Sequence, residues 1–235
     1  MPARFPPLQG IITQLDQQVR RRDRVNVYLD GRFAFGLSAS LAAAEGLQPG
    51  RVLTADDVAR LLHADAVHVA RDAAMRYLGY RPRSEAEVRV YLERRKGVPP
   101  EIVDEVLDWL RRHGYVDDAA FAQFWVRNRT AFRPRGARAL RAELREKGVA
   151  RETIDTVLEA LASEEDTLIE QVARAYLQRL TPGELADAQR FRTRLGSFLA
   201  RRGFTYEAIT AVVRRLWNER TADHAADPSP EDAPR

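Results

Sequence analysis

At 235 residues the chain has room for one or two domains with a substantial buried core. Apolar residues make up 45% and charged residues 31%, the balance of a folded protein, and no apolar run is long enough to cross a bilayer. The absence of cysteine excludes a disulfide framework, a thiolate nucleophile and a thiolate metal site. The N-terminus, Met-Pro-Ala-Arg-Phe-Pro-Pro, lacks the basic-then-apolar form of a signal peptide, so a cytoplasmic protein without membrane attachment is expected. The net charge of +4 is uneven: the stretch from Thr221 to Arg235 carries −3, leaving +7 on the rest. Only Lys96 and Lys147 are lysines, so nearly all the positive charge is arginine, whose planar fork suits phosphates and carboxylates. A GC-rich genome explains that bias equally well. A basic body nevertheless points to an acidic partner, either nucleic acid or a protein groove.

Residues 1–62 read as a small module. Leu8 to Leu15 has strand character. Val25-Asn-Val-Tyr-Leu29 and Phe33-Ala-Phe-Gly-Leu37 flank Asp30-Gly31, a hairpin signal because a type I′ turn needs positive φ at both central positions. A helix is expected from about Ser40 to Glu45, and a second begins at Thr54 with Asp57 completing a capping box.

From Val58 onward the pattern is helical, and it repeats. Aligning Gly148 on Gly203 superimposes Leu140 and Leu144 on Leu195 and Leu199. Downstream, Ile154, Val157, Leu158 and Leu161 fall on Ile209, Val212, Val213 and Leu216. Aligning Gly148 on Gly97 brings Val103, Val106, Leu107 and Leu110 to the same downstream offsets. Val88 and Leu92 lie one residue further out, so this copy carries one extra residue before its glycine. A period near fifty residues marks stacked supersecondary units. The expected architecture is mainly α: three-helix repeats over 63–117, 118–165 and 166–220 forming an elongated curved array, after the hairpin module and before a disordered acidic tail at 221–235. Ser84-Glu-Ala-Glu87 reads as a capping box starting a helix. Gly79-Tyr80, Gly97-Val98, Gly114-Tyr115, Gly148-Val149 and Gly203-Phe204 each read as a left-handed glycine cap followed by a side chain that packs back on the helix.

Several of these stretches occur in an order that resembles the RecX family of regulatory proteins. They are Tyr77-Leu-Gly-Tyr-Arg-Pro-Arg-Ser84-Glu, Leu92 to Gly97, Gly114-Tyr-Val-Asp-Asp118-x-x-Phe121, Arg133-Pro-Arg-Gly136 and Arg202-Gly-Phe204. Arg24 to Gly36 is similar to the N-terminal extension of longer members. The resemblance implies tandem three-helix repeats that bind the recombinase RecA, lie in the groove of its filament on single-stranded DNA, and suppress ATP hydrolysis and strand exchange. A monomeric non-enzyme is expected, with no cofactor, and with single-stranded DNA contacted weakly or through the filament. The family offers no defined catalytic residues to carry over.

The residues themselves agree in offering little chemistry. His63, His68, His113 and His224 form no metal-ligand spacing, and capping and turn roles account for Glu85/Glu87 and Asp117/Asp118. Three basic sets remain as candidate protein- or nucleic-acid-binding residues. Arg20, Arg21, Arg22 and Arg24 can grip phosphate or simply solvate a turn. Arg133, Arg135, Arg138, Arg141, Arg145 and Lys147 include three arginines at helical spacing on one face, partly offset by Glu143 and Glu146. Arg201 and Arg202, with Arg192 and Arg194, form a smaller set. Tyr77, Phe124, Trp125, Tyr176, Phe198 and Trp217 sit at core spacing. A second function class stays open: a sequence-tolerant DNA-binding protein or transcriptional regulator using the repeats as helix-turn-helix units, though no helix carries clustered base-reading residues.

Overall fold

The computed structural model describes residues 8–20, 22–160 and 162–226. Its contacts divide the chain into two units. One runs to Arg83 and resumes over Glu87–Val116; the other takes in Ser84–Ala86 and everything from Asp117.

In the first unit, β1 (Gly10–Gln17), β2 (Arg24–Leu29), β3 (Arg32–Ser38) and β4 (Val52–Leu53) form an antiparallel sheet in the order β3-β2-β1-β4. The expected hairpin is there, with Asp30 at φ 48° and Gly31 at φ 76°. The alternation of β2 buries Val27 and Leu29 against Ile12, Phe35 and Leu37, and these pack with Val58 and Leu61. Those last two belong to α2 (Ala55–Leu78), which follows α1 (Ala39–Ala44) and starts at the Thr54–Asp57 capping box. The expected boundary at 62/63 falls inside α2, a single helix of 24 residues. Its first half completes the sheet core, while Val67, Ala70, Ala73 and Ala74 belong to the next core. A buried carboxylate strengthens the connection: Asp65 accepts the Ser38 N–H at 2.7 Å, the Ser38 hydroxyl and the Arg24 guanidinium at 2.8 Å.

The first repeat is completed by α3 (Glu85–Val90), a π-helical turn over Tyr91–Arg95, and α4 (Pro100–Arg112). Val88, Leu92, Val103, Val106, Leu107 and Leu110 are fully buried, as the alignment requires. The π turn is where the extra residue goes. The residue after the glycine donates to a carbonyl five positions back in Val149→Leu144 and Phe204→Leu199, but six back in Val98→Leu92. Widening one turn keeps the apolar face on the core despite the insertion.

The second unit holds two further repeats, each with its own core. The first comprises α5 (Asp118–Phe132), α6 (Ala137–Glu146) and α7 (Arg151–Glu159), packed around Phe121, Leu140, Leu144 and Ile154. The next comprises α8 (Ala162–Leu177), the short α9 (Pro182–Ala186), α10 (Ala188–Arg201) and α11 (Tyr206–Ala226), around Phe191, Leu195, Leu199 and Phe204. α11 continues to Ala226, six residues into the stretch expected to be unstructured, consistent with the helix propensity of Ala222, Ala225 and Ala226. Residues 227–235 and Leu161 lie outside the described residues.

Gly97, Gly114, Gly148 and Gly203 have φ between 66° and 83°, the left-handed cap conformation. Gly79 does not: its φ is −61°, and Tyr80 after it is 85% exposed rather than packed back. α2 ends there by leading into the Arg81–Ser84 connection, so no reversal is needed.

Candidate interaction surface on the second and third repeats

Gly136 supplies no side chain to cap α6. The helix takes its partners from the third repeat instead: the N–H groups of Gly136, Ala137 and Arg138 donate to the Arg202 carbonyl at 3.0 Å, the Glu165 carboxylate at 3.1 Å and the Gly203 carbonyl at 3.1 Å. Three of the orphan donors that any helix start exposes are thereby satisfied. The arrangement recurs within the same unit at 84–86, where Glu85 N–H donates to Asp118 at 2.9 Å and the Ser84 hydroxyl donates to the Lys147 carbonyl at 2.6 Å. Burial pushes the Asp118 carboxyl above its usual range; the Glu85 bond opposes that and neighbouring Asp117 adds to it. α10, by contrast, has its own cap, the Asp187 carboxylate on the Arg190 N–H at 2.8 Å.

This junction gathers two of the three predicted arginine sets. Arg202 donates to the Pro134 carbonyl at 3.0 Å and stacks over Phe198, 4.8 Å from its centroid. Its pKa is lowered by burial and by the nearby positive charges of Arg135 and Arg179. Arg135 reaches Glu143 only at 3.6 Å. Glu143 does not offset the outer arginine face as its position on α6 suggests: it is turned inward and accepts the Trp125 indole N–H at 2.7 Å and the Arg129 guanidinium at 2.7 Å. Lys147 lies over Trp125, 5.1 Å from the ring centroid.

The expected arginine face is therefore split. Arg138 and Arg145, seven residues apart and so on one side of α6, are exposed and without a side-chain partner among the described residues. Arg141 is tied to Asp155 at 3.0 Å, and the Asp155 carboxyl is held below the usual range chiefly by that bond. Arg133, Arg192 and Arg201 are exposed like Arg138, whereas Arg194 pairs with Glu184 at 3.0 Å. Arg127, Arg179 and Arg214 are also exposed and were not singled out by spacing. In the N-terminal run Arg20 and Arg22 are exposed, Arg21 lies outside the described residues, and Arg24 is withdrawn into the Asp65 ion pair. No group of three His, Asp or Glu residues able to hold a metal ion occurs among the described residues, and no described helix is long and apolar enough to cross a membrane.

The three segments match three family models in chain order: the regulatory protein RecX N-terminal domain over 10–54, the first RecX three-helix domain over 70–110 and the second over 117–158. The regulatory protein RecX of Halalkalibacterium halodurans is 34% identical over 195 residues, covering 81% of this chain and 68% of that one. The chain belongs to the RecX family. The RecX of Clostridium acetobutylicum is 26% identical across 90% of this chain and 98% of its own. A crystal structure of regulatory protein RecX superimposes with a TM-score of 0.68 at 26% identity, over 86% of this chain and 98% of that one. The RecX N-terminal domain thus corresponds to the sheet with α1, ending at the Thr54 cap of α2, and the two matched three-helix domains to the repeats around Gly97 and Gly148.

Proposed function

We propose that this RecX-family protein is a cytoplasmic, non-enzymatic modulator that binds the RecA filament on single-stranded DNA and slows its ATP hydrolysis and strand exchange. Membership of the family supports the partner. The observation that carries the contact is the set of exposed arginines without carboxylate partners on α6 and at its junction with the third repeat, Arg133, Arg138, Arg145 and Arg201. Uncompensated guanidiniums in water favour an anionic surface, whether an acidic protein groove or a DNA backbone. Arg141, already engaged with Asp155, is a weaker contributor than its spacing suggests.

The test is co-sedimentation with RecA filaments on single-stranded DNA. Arg138→Glu together with Arg145→Glu should weaken binding by about tenfold, as expected when two charges are reversed at a contact, with helicity unchanged. Arg141→Glu alone should have a smaller effect. Undiminished binding by the double variant would move the contact elsewhere. Affinity for naked DNA equal to or above that for the filament, in a salt series, would instead favour the DNA-binding reading.

A further inference from the structure

The end of α4, in the first repeat, carries three rings that play no part in the arginine surface. Trp109 and His113 are one helical turn apart, and Tyr115 follows Gly114, whose φ of 69° turns the chain back. Both smaller rings lie against the indole: His113 at 4.4 Å and 30°, Tyr115 at 5.5 Å and 24°. His113 and Tyr115 are themselves within 12° of parallel but 6.4 Å apart. Two rings that both rest on the indole at that mutual distance are side by side, as two tiles of one floor.

The floor is held in place. The His113 ring Nδ1 lies 2.8 Å from the Trp109 carbonyl oxygen, and the Arg71 guanidinium sits 5.0 Å from the indole centroid. Its outer side is open, with Tyr115 48% exposed and His113 exposed. Its edge is cationic. Arg112, three residues after Trp109 and so on the same side of α4, donates Nε to the Asp108 carbonyl and has no carboxylate partner among the described residues. Arg111 is alongside, paired with Asp108.

Flat, pre-oriented aromatic rings edged by guanidinium match a nucleobase and its phosphate. Every base has a π-face, so such stacking is sequence-tolerant, and the arginine fork suits phosphate oxygens. An acidic peptide would engage the arginines and leave the rings unmatched. We propose that Tyr115 and His113, backed by Trp109, form a stacking site for bases of single-stranded nucleic acid, with Arg112 on the backbone. The site uses none of the α6 residues, and its test contains no RecA, so either reading can fail without the other.

Anisotropy with the full chain, a labelled oligothymidylate and an abasic strand of equal length and charge tests it. Tyr115→Ala should weaken oligothymidylate binding about fivefold or more, the range for loss of a base–aromatic stack, and leave the abasic strand unchanged. Tyr115→Phe should retain binding, and His113→Ala should repeat the selective loss if Tyr115→Ala lowers helicity. Arg112→Glu should weaken both strands. Unchanged oligothymidylate affinity in both Tyr115→Ala and His113→Ala, or equal loss on the two strands, would overturn the proposal. So would tighter, Tyr115-dependent binding of an arginine-rich peptide, which would assign the rings to a protein partner through cation–π contact.

Discussion

Gly203 carries two constraints at once. Its φ of +83° is a conformation that L side chains rarely adopt, and a Cβ placed there would stand 2.6 Å from the Ala139 nitrogen and 2.9 Å from its Cα. Backbone cannot move aside as the tip of a side chain can, and this is the first turn of α6, which the Arg202 and Gly203 carbonyls cap. Gly203→Ala should therefore cost about 2–4 kcal/mol, the sum of a strained φ and an overpacked contact. Gly183→Ala, with nothing within 4 Å and no positive φ, should be near neutral. Urea midpoints would check the pair; equal midpoints would mean that the junction yields more readily than its geometry implies. At this scale the sequence was only partly legible. That Arg138, Arg141 and Arg145 share a helix was readable from spacing. That Asp155 takes the middle one, and that Glu143 turns to Trp125 and Arg129, was not, because those partners lie 14 to 18 residues away on other helices and their approach depends on how α5, α6 and α7 cross. The ion pair of Arg24 was hidden for the same reason: its partner Asp65 is 41 residues away.

At the scale of elements, the extra residue before Gly97 was visible as an offset and the π turn is its physical form. Val88 and Leu92 are both fully buried, so the chain keeps them inward and lets Tyr91–Arg95 widen. Deleting Arg94, which is exposed, should return Leu92 to the spacing that Leu144 has from Gly148 and convert the turn to α-helix. The variant is expected to keep wild-type helicity by circular dichroism and to change stability by no more than about 1 kcal/mol, the level of ordinary exposed-site changes. Loss of the fold would mean that the wide turn itself is needed for packing. Helix identity and glycine stops were readable because periodicity and left-handed caps are local. The double use of α2 and the capping of α6 by Glu165, Arg202 and Gly203 were not, since no local signal distinguishes one long helix from two, or an uncapped Gly136 from a capped one.

For the whole molecule, the repeat period and the ordered motifs pointed to the same family that the matched domains establish, and the hairpin module falls on the RecX N-terminal domain. Charge is the property that links this scale to function. A body of +7 is rich in arginine, and much of it on α6 and α10 is left uncompensated, which suits a partner that is itself a polyanion-bearing assembly. On the proposed function no reaction centre is needed, because binding the active and inactive states of a filament with different affinity is sufficient to shift its activity. The most direct measurement is the rate of ATP hydrolysis by RecA on single-stranded DNA as this protein is titrated in. Slowing is expected at less than one molecule per RecA, and Arg138→Glu with Arg145→Glu should reduce it. An unchanged rate with the protein in excess would contradict the proposed function.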